Sequence, residues 1–251
     1  MNQNFDLNID NYTLKELEDY FLSIGEKIYR AHQLYDFLYQ QKIININEVT
    51  TFNKDLIEKV LSDIKILPLN LILKKKTKDT IKYLFELDDN NKIETVLMKH
   101  NYGNSVCVSS QVGCNMNCAF CESGKLKKIR NLMPYEMVLQ VLMVEKDLQI
   151  RISHIVIMGI GEPFDNYDNV IKFIKIINEN KGLNIGARHI TISTCGIIPK
   201  IEAFMKEDLQ VNLAISLHAP SNLIRDKLMP INKVYSIENL IQVIKKYILK
   251  T

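Results

Sequence analysis

The sequence predicts an α/β protein in which a helical segment and a β-hairpin precede a parallel sheet. Helical periodicity dominates the first 65 residues, and a hairpin pattern follows. From about residue 104, strand-like segments alternate with helical ones, which calls for parallel strands joined by right-handed crossovers. Such a sheet is either open or curled toward a barrel, and ligands bind at the carboxyl ends of its strands.

The first helices are predicted from their starting residues. Thr13 followed by Glu16 is a capping box, and apolar residues recur at helical spacing behind it. A second helix is predicted over 29–40, and Asn53 is the N-cap of a third. We therefore expect residues 1–65 to form a helical accessory domain.

A β-hairpin extension is predicted for residues 66–100. A turn at 88–91 separates the last two of its three β-rich segments, 71–75, 81–87 and 92–98. The lysine run from Lys74 to Lys78 is typical of a solvated edge strand, with a binding patch as the alternative.

Residues 101–251 are predicted to form the α/β core. Its expected strands are 105–111, 155–158, 189–193 and 211–217. Its expected helices are 134–148, 167–180, 199–206 and 237–249. Polar and glycine-rich turns follow the strands at 113–124, 159–163, 193–196 and 216–220, where chemistry is expected.

Composition limits the class of protein. The hydrophobic fraction is 47% and the charged fraction 24%, which is typical of globular chains and excludes a disordered or collagen-like one. No apolar run approaches the roughly 18 residues that span a bilayer, and residues 1–10 carry no basic apolar leader, so we expect a cytoplasmic protein without membrane contact. The net charge of +3 does not by itself indicate nucleic-acid binding.

Three closely spaced cysteines carry the strongest chemical signal. Cys114, Cys118 and Cys121 have the spacing C-x3-C-x2-C in a loop that follows the first core strand. Three thiolates at this spacing hold three corners of a cubic iron–sulfur cluster and leave the fourth iron open to another ligand. The alternative is a structural zinc ion, whose fourth ligand would be His100 or His154.

The cysteine loop resembles the signature of radical S-adenosylmethionine (SAM) enzymes. Further segments are similar, in the same order, to the RlmN/Cfr family of methyltransferases that modify adenine in large-subunit ribosomal RNA, at C2 or C8, and in tRNA. The similar segments are 93–96, 107–114, 128–132, 158–163, 192–196, 214–220 and 228–232. The resemblance implies a partial (β/α) TIM-type barrel of the radical SAM kind.

The resemblance also implies cofactors and their ligands. A [4Fe-4S] cluster would be bound by the three loop cysteines, and S-adenosyl-L-methionine would chelate its open iron. Gly161 and Glu162 would contact the amino end of SAM, whereas without the resemblance an ordinary turn is the favoured interpretation. The carboxylate, ribose and adenine of SAM would be lined by Ser193, Ser216, Leu217 and His218, with a structural histidine as the alternative for His218.

Glu94 and Cys107 take the distinctive roles that the resemblance implies. In the family, a methyl group on a carrier cysteine loses a hydrogen to the radical and its carbon attacks the adenine. The glutamate accepts a proton, and the cysteine resolves the covalent adduct by forming a disulfide with the carrier. Without the resemblance, Glu94 would be a solvent-facing strand residue and Cys107 a small buried side chain.

The expected partners follow from the same family. They are ribosomal RNA and tRNA, together with an electron donor such as flavodoxin or ferredoxin. The protein itself is expected to be a monomer. Basic residues after the cysteine loop would hold RNA phosphates. The alternative is that they form a solvated charged loop. These residues are Lys125, Lys127, Lys128 and Arg130.

The family's carrier cysteine lies beyond the point where these 251 residues end. We expect Cys195 to be a packing residue rather than a substitute carrier. Three hypotheses follow: a C-terminally shortened RNA adenine methyltransferase, a complete radical SAM enzyme with another SAM-cleaving reaction, or a zinc-stabilised RNA-binding protein. We favour the first.

Overall fold

The computed structural model describes residues 8–42, 45–65, 67 and 69–250. The parts of the predicted segments 1–65, 66–100 and 101–251 that fall on residues 1–7, 43, 44, 66, 68 and 251 lie outside the described residues. The helices are α1 (Leu14–Ser23), α2 (Ile28–Tyr39), α3 (Lys54–Asp63), α4 (Pro134–Leu148), α5 (Tyr167–Asn178), α6 (Ile198–Phe204), α7 (Asn222–Leu228) and α8 (Ile237–Lys250). The strands are β1 (Asn70–Lys76), β2 (Thr80–Glu86), β3 (Lys92–His100), β4 (Gly103–Cys107), β5 (Gln111–Val112), β6 (Arg130–Asn131), β7 (His154–Ile157), β8 (Ile190–Thr194) and β9 (Asn212–Ile215).

The amino-terminal helices begin where their capping residues predict. The Thr13 hydroxyl accepts a hydrogen bond from Glu16 N at 3.3 Å, while the Glu16 carboxylate accepts one from Thr13 N at 2.8 Å. Asn53 caps α3 by accepting from Leu56 N at 2.9 Å. These local bonds confirm the predicted helix starts, because each satisfies backbone donors that have no partner within the helix.

These helices dock on the outer helices of the core. The Tyr35 hydroxyl donates to the carbonyl of Ile176 in α5 at 3.2 Å, and Asn11 accepts from the backbone of Tyr135 in α4 at 2.9 Å. Buried apolar side chains from the helical segment and the sheet form one continuous cluster. The domain boundary near residue 65 stays a prediction, and a shared core spans it.

One mixed sheet runs through the molecule in the order β1-β2-β3-β4-β7-β8-β9. The first four strands are antiparallel, and β4, β7, β8 and β9 are parallel to one another. The alternating strands and helices confirm the α/β fold of the partial-barrel kind. Nothing in the sequence indicated that β3 pairs with β4, which makes the hairpin part of the same sheet.

The predicted strand 105–111 is wrong in one respect, because it divides in two. β4 ends at Cys107, where Ser109 N donates to the side-chain oxygen of Gln140 at 2.8 Å instead of continuing the ladder. Gln111 then pairs with Asn131 in a separate two-stranded sheet. A side chain on α4 therefore ends the strand, which local sequence does not reveal.

The two faces of the main sheet differ. On β3, Ile93 and Thr95 are buried beneath the helices, whereas Glu94 points to the opposite side. That opposite side, which we call the open face, carries Lys82, Glu94, Cys107 and Ser193; the register across β2, β3, β4, β7 and β8 places them there. Among the helices that the structure describes, none combines the length and the hydrophobicity that a transmembrane span requires.

Candidate active site

The cysteine loop lies at the carboxyl end of β4 and folds back on itself. Cys114 N donates to the Leu126 carbonyl at 2.9 Å, and Cys121 N donates to the Cys118 carbonyl at 3.1 Å. Gly113 has a φ of +73°, and a Cβ there would lie 2.3 Å from the Lys127 carbonyl oxygen. The loop therefore requires glycine immediately before its first cysteine.

The three loop thiols suit a cationic inorganic group. All three are free, and burial raises the pKa of Cys118 to about 11, with the Cys114 and Cys121 thiols adding to the shift. Burial likewise raises the pKa of Cys114. Thiolates in this loop therefore need positive charge beside them, which iron supplies, and three soft sulfur donors match three corners of a cubic cluster.

The two histidines proposed as the fourth ligand of a zinc ion lie at the opposite edge of the sheet from the cysteine loop. His154 begins β7 and His100 ends the antiparallel β3, which places both at the amino edge of the parallel strands. The cysteine loop follows the carboxyl end of β4, at the other edge. Neither histidine is therefore placed to complete a zinc site with the three cysteines.

The turn after β7 brings Gly161 and Glu162 to the carboxyl edge. Gly161 has a φ of +112°, and a Cβ there would lie 2.6 Å from Cβ of Gln111. The buried Glu162 carboxylate accepts from Cys195 N at 2.8 Å and from Phe164 N at 3.0 Å. Burial raises the pKa of Glu162 despite these bonds. The residue thus serves as a turn cap and joins two strand ends.

The ends of β8 and β9 meet beside this turn. Ser193 Oγ and Ser216 Oγ lie 3.2 Å apart. His218 has a φ of +55°, and its ring centroid lies 4.5 Å from that of Phe120 in the cysteine loop. The structure therefore brings these predicted SAM-contacting residues and the cysteine loop to one edge of the sheet.

Cys195 is buried next to Glu162, as predicted for a packing residue. Burial and the adjacent Glu162 carboxylate raise the pKa of its thiol well above the ordinary value. A thiol held neutral in this way is a poor nucleophile.

Arg225 on α7 was missed by the sequence reasoning. Its side chain is fully buried and donates to the carbonyl oxygens of Cys195 at 2.6 Å and Leu217 at 3.1 Å. It also donates to the side-chain oxygen of Asn232 at 2.9 Å. Only its position in the matched order between 214–220 and 228–232 could have indicated it, since one arginine in a short helix has no distinctive pattern.

Glu94 and Cys107 lie on adjacent strands of the open face, with Val96 directly opposite Cys107. Burial raises the pKa of Cys107, although Met158 N donates a hydrogen bond that opposes the shift. Glu94 is half exposed. Its carbonyl accepts from the Ser109 hydroxyl at 2.6 Å, and that hydroxyl accepts from Ile160 N at 3.0 Å. Ser109 therefore links the Glu94 strand to the turn that holds Gly161.

Three of the four basic residues predicted to hold phosphates have carboxylate partners. Lys128 lies 2.7 Å from Asp165, and Lys125 lies 2.5 Å from Glu122. Arg130 lies 2.7 Å from Glu136 and 2.6 Å from Asp89. These contacts favour the alternative of a charged loop whose cations are largely neutralised.

The α/β fold, the three-cysteine loop and the strand-end turns define a radical SAM protein. The Radical SAM superfamily matches residues 108–249, and the ribosomal RNA large subunit methyltransferase N-terminal domain matches residues 7–66. Membership of this superfamily implies a [4Fe-4S] cluster and S-adenosyl-L-methionine as cofactors, and the donor set described above fits the cluster.

Individual relatives define the family more narrowly. The chain is 53% identical to the probable dual-specificity RNA methyltransferase RlmN of Spiroplasma citri, over 96% of this chain and 71% of that protein. It is also 53% identical to the protein of the same name from Geobacillus kaustophilus, over 97% of this chain and 68% of that protein. The crystal structure of a radical SAM methyltransferase from Sphaerobacter thermophilus matches with a TM-score of 0.93 at 37% identity, covering 98% of this chain and 74% of that one. The chain belongs to the RlmN family.

Proposed function

We propose that this chain provides the cofactor-binding part of an RNA methyltransferase that acts on an adenine of large-subunit ribosomal RNA, at C2 or C8, and on tRNA. The names of its relatives give the substrate class. The observation that carries the proposal is the meeting of the cysteine loop with the ends of β8 and β9, through the contact of Phe120 with His218.

Different residues at this edge would bind the cluster and the separate chemical groups of SAM. Cys114, Cys118 and Cys121 would hold the cluster, which together with SAM supplies hydrogen-abstracting radical chemistry. Glu162, beside Gly161, would stabilise the ammonium of SAM by charge. The hydroxyls of the Ser193 and Ser216 pair, with Leu217 and His218, would bind the carboxylate, ribose and adenine.

The open face would receive the base. The Glu94 carboxylate would accept a proton from the adenine. Cys107 would attack the carrier sulfur, so that a disulfide forms, the bond from that sulfur to the transferred carbon breaks, and the carbon keeps the electron pair and takes a proton. Burial raises the pKa of the Cys107 thiol, which limits its reaction with oxidants in solution. A flipped adenine is the form in which a base normally enters such a pocket.

The setting follows the family. We propose residues 1–65 as an accessory domain, 66–100 as the hairpin and 101–251 as the radical SAM core. The five cysteines are free, which suits a reducing cytoplasm. A flavodoxin or ferredoxin would supply the electron, and the protein would act as a monomer.

The test is reductive cleavage of SAM by the anaerobically reconstituted chain. With dithionite as electron source, we expect 5′-deoxyadenosine from the wild type and none from Cys121→Ala. Ser193→Ala should raise the SAM concentration needed for half-maximal cleavage by about tenfold, since a hydrogen bond to a charged group contributes about 1.5 kcal/mol. Equal cleavage by wild type and Cys121→Ala would contradict the proposal.

The same preparation tests the carrier. In this proposal three cysteines bind the cluster and Cys107 resolves the adduct. Cys195 is buried with a raised thiol pKa, so none of the five cysteines remains to carry the methyl group. We expect no methyladenosine from the 251-residue chain incubated with ribosomal RNA. Methyladenosine detected by mass spectrometry would show that Cys195 or another group acts as carrier.

A further inference from the structure

Two lysines lie side by side on the open face, next to Glu94. Lys75 of β1 is the register partner of Lys82 of β2, and the strand alternation directs both side chains to the same face. Together with Leu73, Leu84 and Glu94 they line a shallow pocket of about 110 Å³. The apolar floor supports the lysine stems and leaves the ammonium groups in solvent.

The charges in this pocket do not cancel. Lys82 Nζ lies 2.6 Å from Glu94 Oε1, and both side chains are nearly half exposed. Lys75 has no carboxylate partner among the residues that the structure describes. Lys74, the preceding residue, is different, because it lies on the opposite face and pairs with Asp147. The pocket thus holds two cations and one anion.

We infer that Lys75 and Lys82 bind a backbone phosphate of the RNA, adjacent to the nucleotide whose base reaches Glu94. This inference rests on the proposed function. Neighbouring strands are about 4.8 Å apart, so two ammonium groups on paired residues reach oxygens of one phosphate. The contact fixes the position of the strand without reading its sequence. We assign phosphate binding to this lysine pair and not to the basic loop after the cysteines, because most cations of that loop are paired with carboxylates.

The consequence for Glu94 follows from the shared lysine. A phosphate that binds Lys82 would break the ion pair between Lys82 and Glu94. The Glu94 carboxylate could then accept a proton from the neighbouring base. The ion pair costs little to open, because exposed pairs contribute only about 0 to 1 kcal/mol.

The test measures binding of a fluorescein-labelled RNA hairpin with adenosines in its loop, by anisotropy over a series of salt concentrations. Lys75→Gln and Lys82→Gln should each weaken binding about five- to tenfold at about 0.1 M salt and flatten the slope of log K against log salt by about 0.7 to 0.9. Lys76→Gln is the matched control, since Lys76 lies on the same strand but faces the other side, opposite the buried Ile81. Its affinity should equal that of the wild type.

The outcomes separate the two proposals. If the wild type binds the hairpin and all three variants bind equally well, the phosphate site is refuted and the proposed function stands. If the wild type binds no hairpin, both fail. Thermal unfolding midpoints of the variants should match the wild type, because each side chain is exposed and none packs in the core.

Discussion

Asp10 is a buried carboxyl outside the candidate active site. Asp10 lies in the turn Ile9–Asn11, next to α4, and is almost completely buried. Burial raises the pKa of its carboxyl to about 7, although the nearby Tyr39 hydroxyl opposes the shift. The folded protein therefore keeps a proton on Asp10 at a pH where the unfolded chain has lost it.

Stability should consequently fall as the pH rises. The unfolded Asp10 titrates at its ordinary value of 3.8 and the folded one at about 7, so its contribution is complete below the first value and lost through the second. We expect the free energy of unfolding in urea to decrease by a few kcal/mol between about pH 4 and pH 7. Asp10→Asn should remove most of this slope. Identical pH profiles for the two proteins would contradict the assignment.

At the residue scale, local signals were predictable and distant partners were not. The spacing of Cys114, Cys118 and Cys121 identifies a metal-binding loop from eight consecutive residues. One hydrogen-bond donor to the Glu162 carboxylate is the backbone N–H of Cys195, which lies 33 residues further along the chain. Such contacts are decided by how the strands assemble, and one sequence does not specify them.

At the element scale, α7 holds the strand ends of the candidate active site together. Arg225 connects the backbone after β8 to the backbone after β9 and to Asn232. This connection fixes the positions of Ser216 and Leu217 relative to Cys195. The helix is thus a positioning element, which its short length of seven residues would not suggest.

Replacing Arg225 should loosen this arrangement. Arg225→Met removes the guanidinium and leaves two buried acceptors and one partly buried acceptor without it, so we expect a loss of stability of about 3 kcal/mol. SAM affinity, measured by calorimetry on the reconstituted protein, should fall together with the thermal midpoint. Arg188→Met is the control, since Arg188 is exposed and its side chain contacts Gln210. Comparable losses in both variants would contradict a positioning role.

Elements with strong local signals were predicted well. The expected helix 134–148 is α4 as observed, because Pro134 favours a helix start and Gln149 ends the helix in a left-handed conformation. The strand predicted over 105–111 divides because Gln140 on α4 competes for the Ser109 backbone. That competition is a tertiary effect. α7 has no clear periodicity over its seven residues, so it escaped prediction.

At the scale of the whole molecule, one mixed sheet joins the two halves of the sequence that we propose to form one site. The antiparallel strands β2 and β3 contribute Lys82 and Glu94 to the open face. The parallel strands contribute the cysteine loop and the serine pair at the carboxyl edge. Pairing of β3 with β4 joins the strands that carry the two sets in one sheet. The α/β class followed from the alternation of elements, whereas this pairing required the structure.

We propose that Cys114, Cys118 and Cys121 hold an iron–sulfur cluster and leave one iron open for SAM. Iron and sulfide analysis after anaerobic reconstitution tests it most directly. The wild type and Cys195→Ala should bind about four irons per chain, Cys118→Ala should lose them, and adding SAM should change the electron paramagnetic resonance signal of the reduced wild type. A colourless protein holding a single zinc ion, or a Cys118→Ala variant with its full complement of iron, would contradict the account.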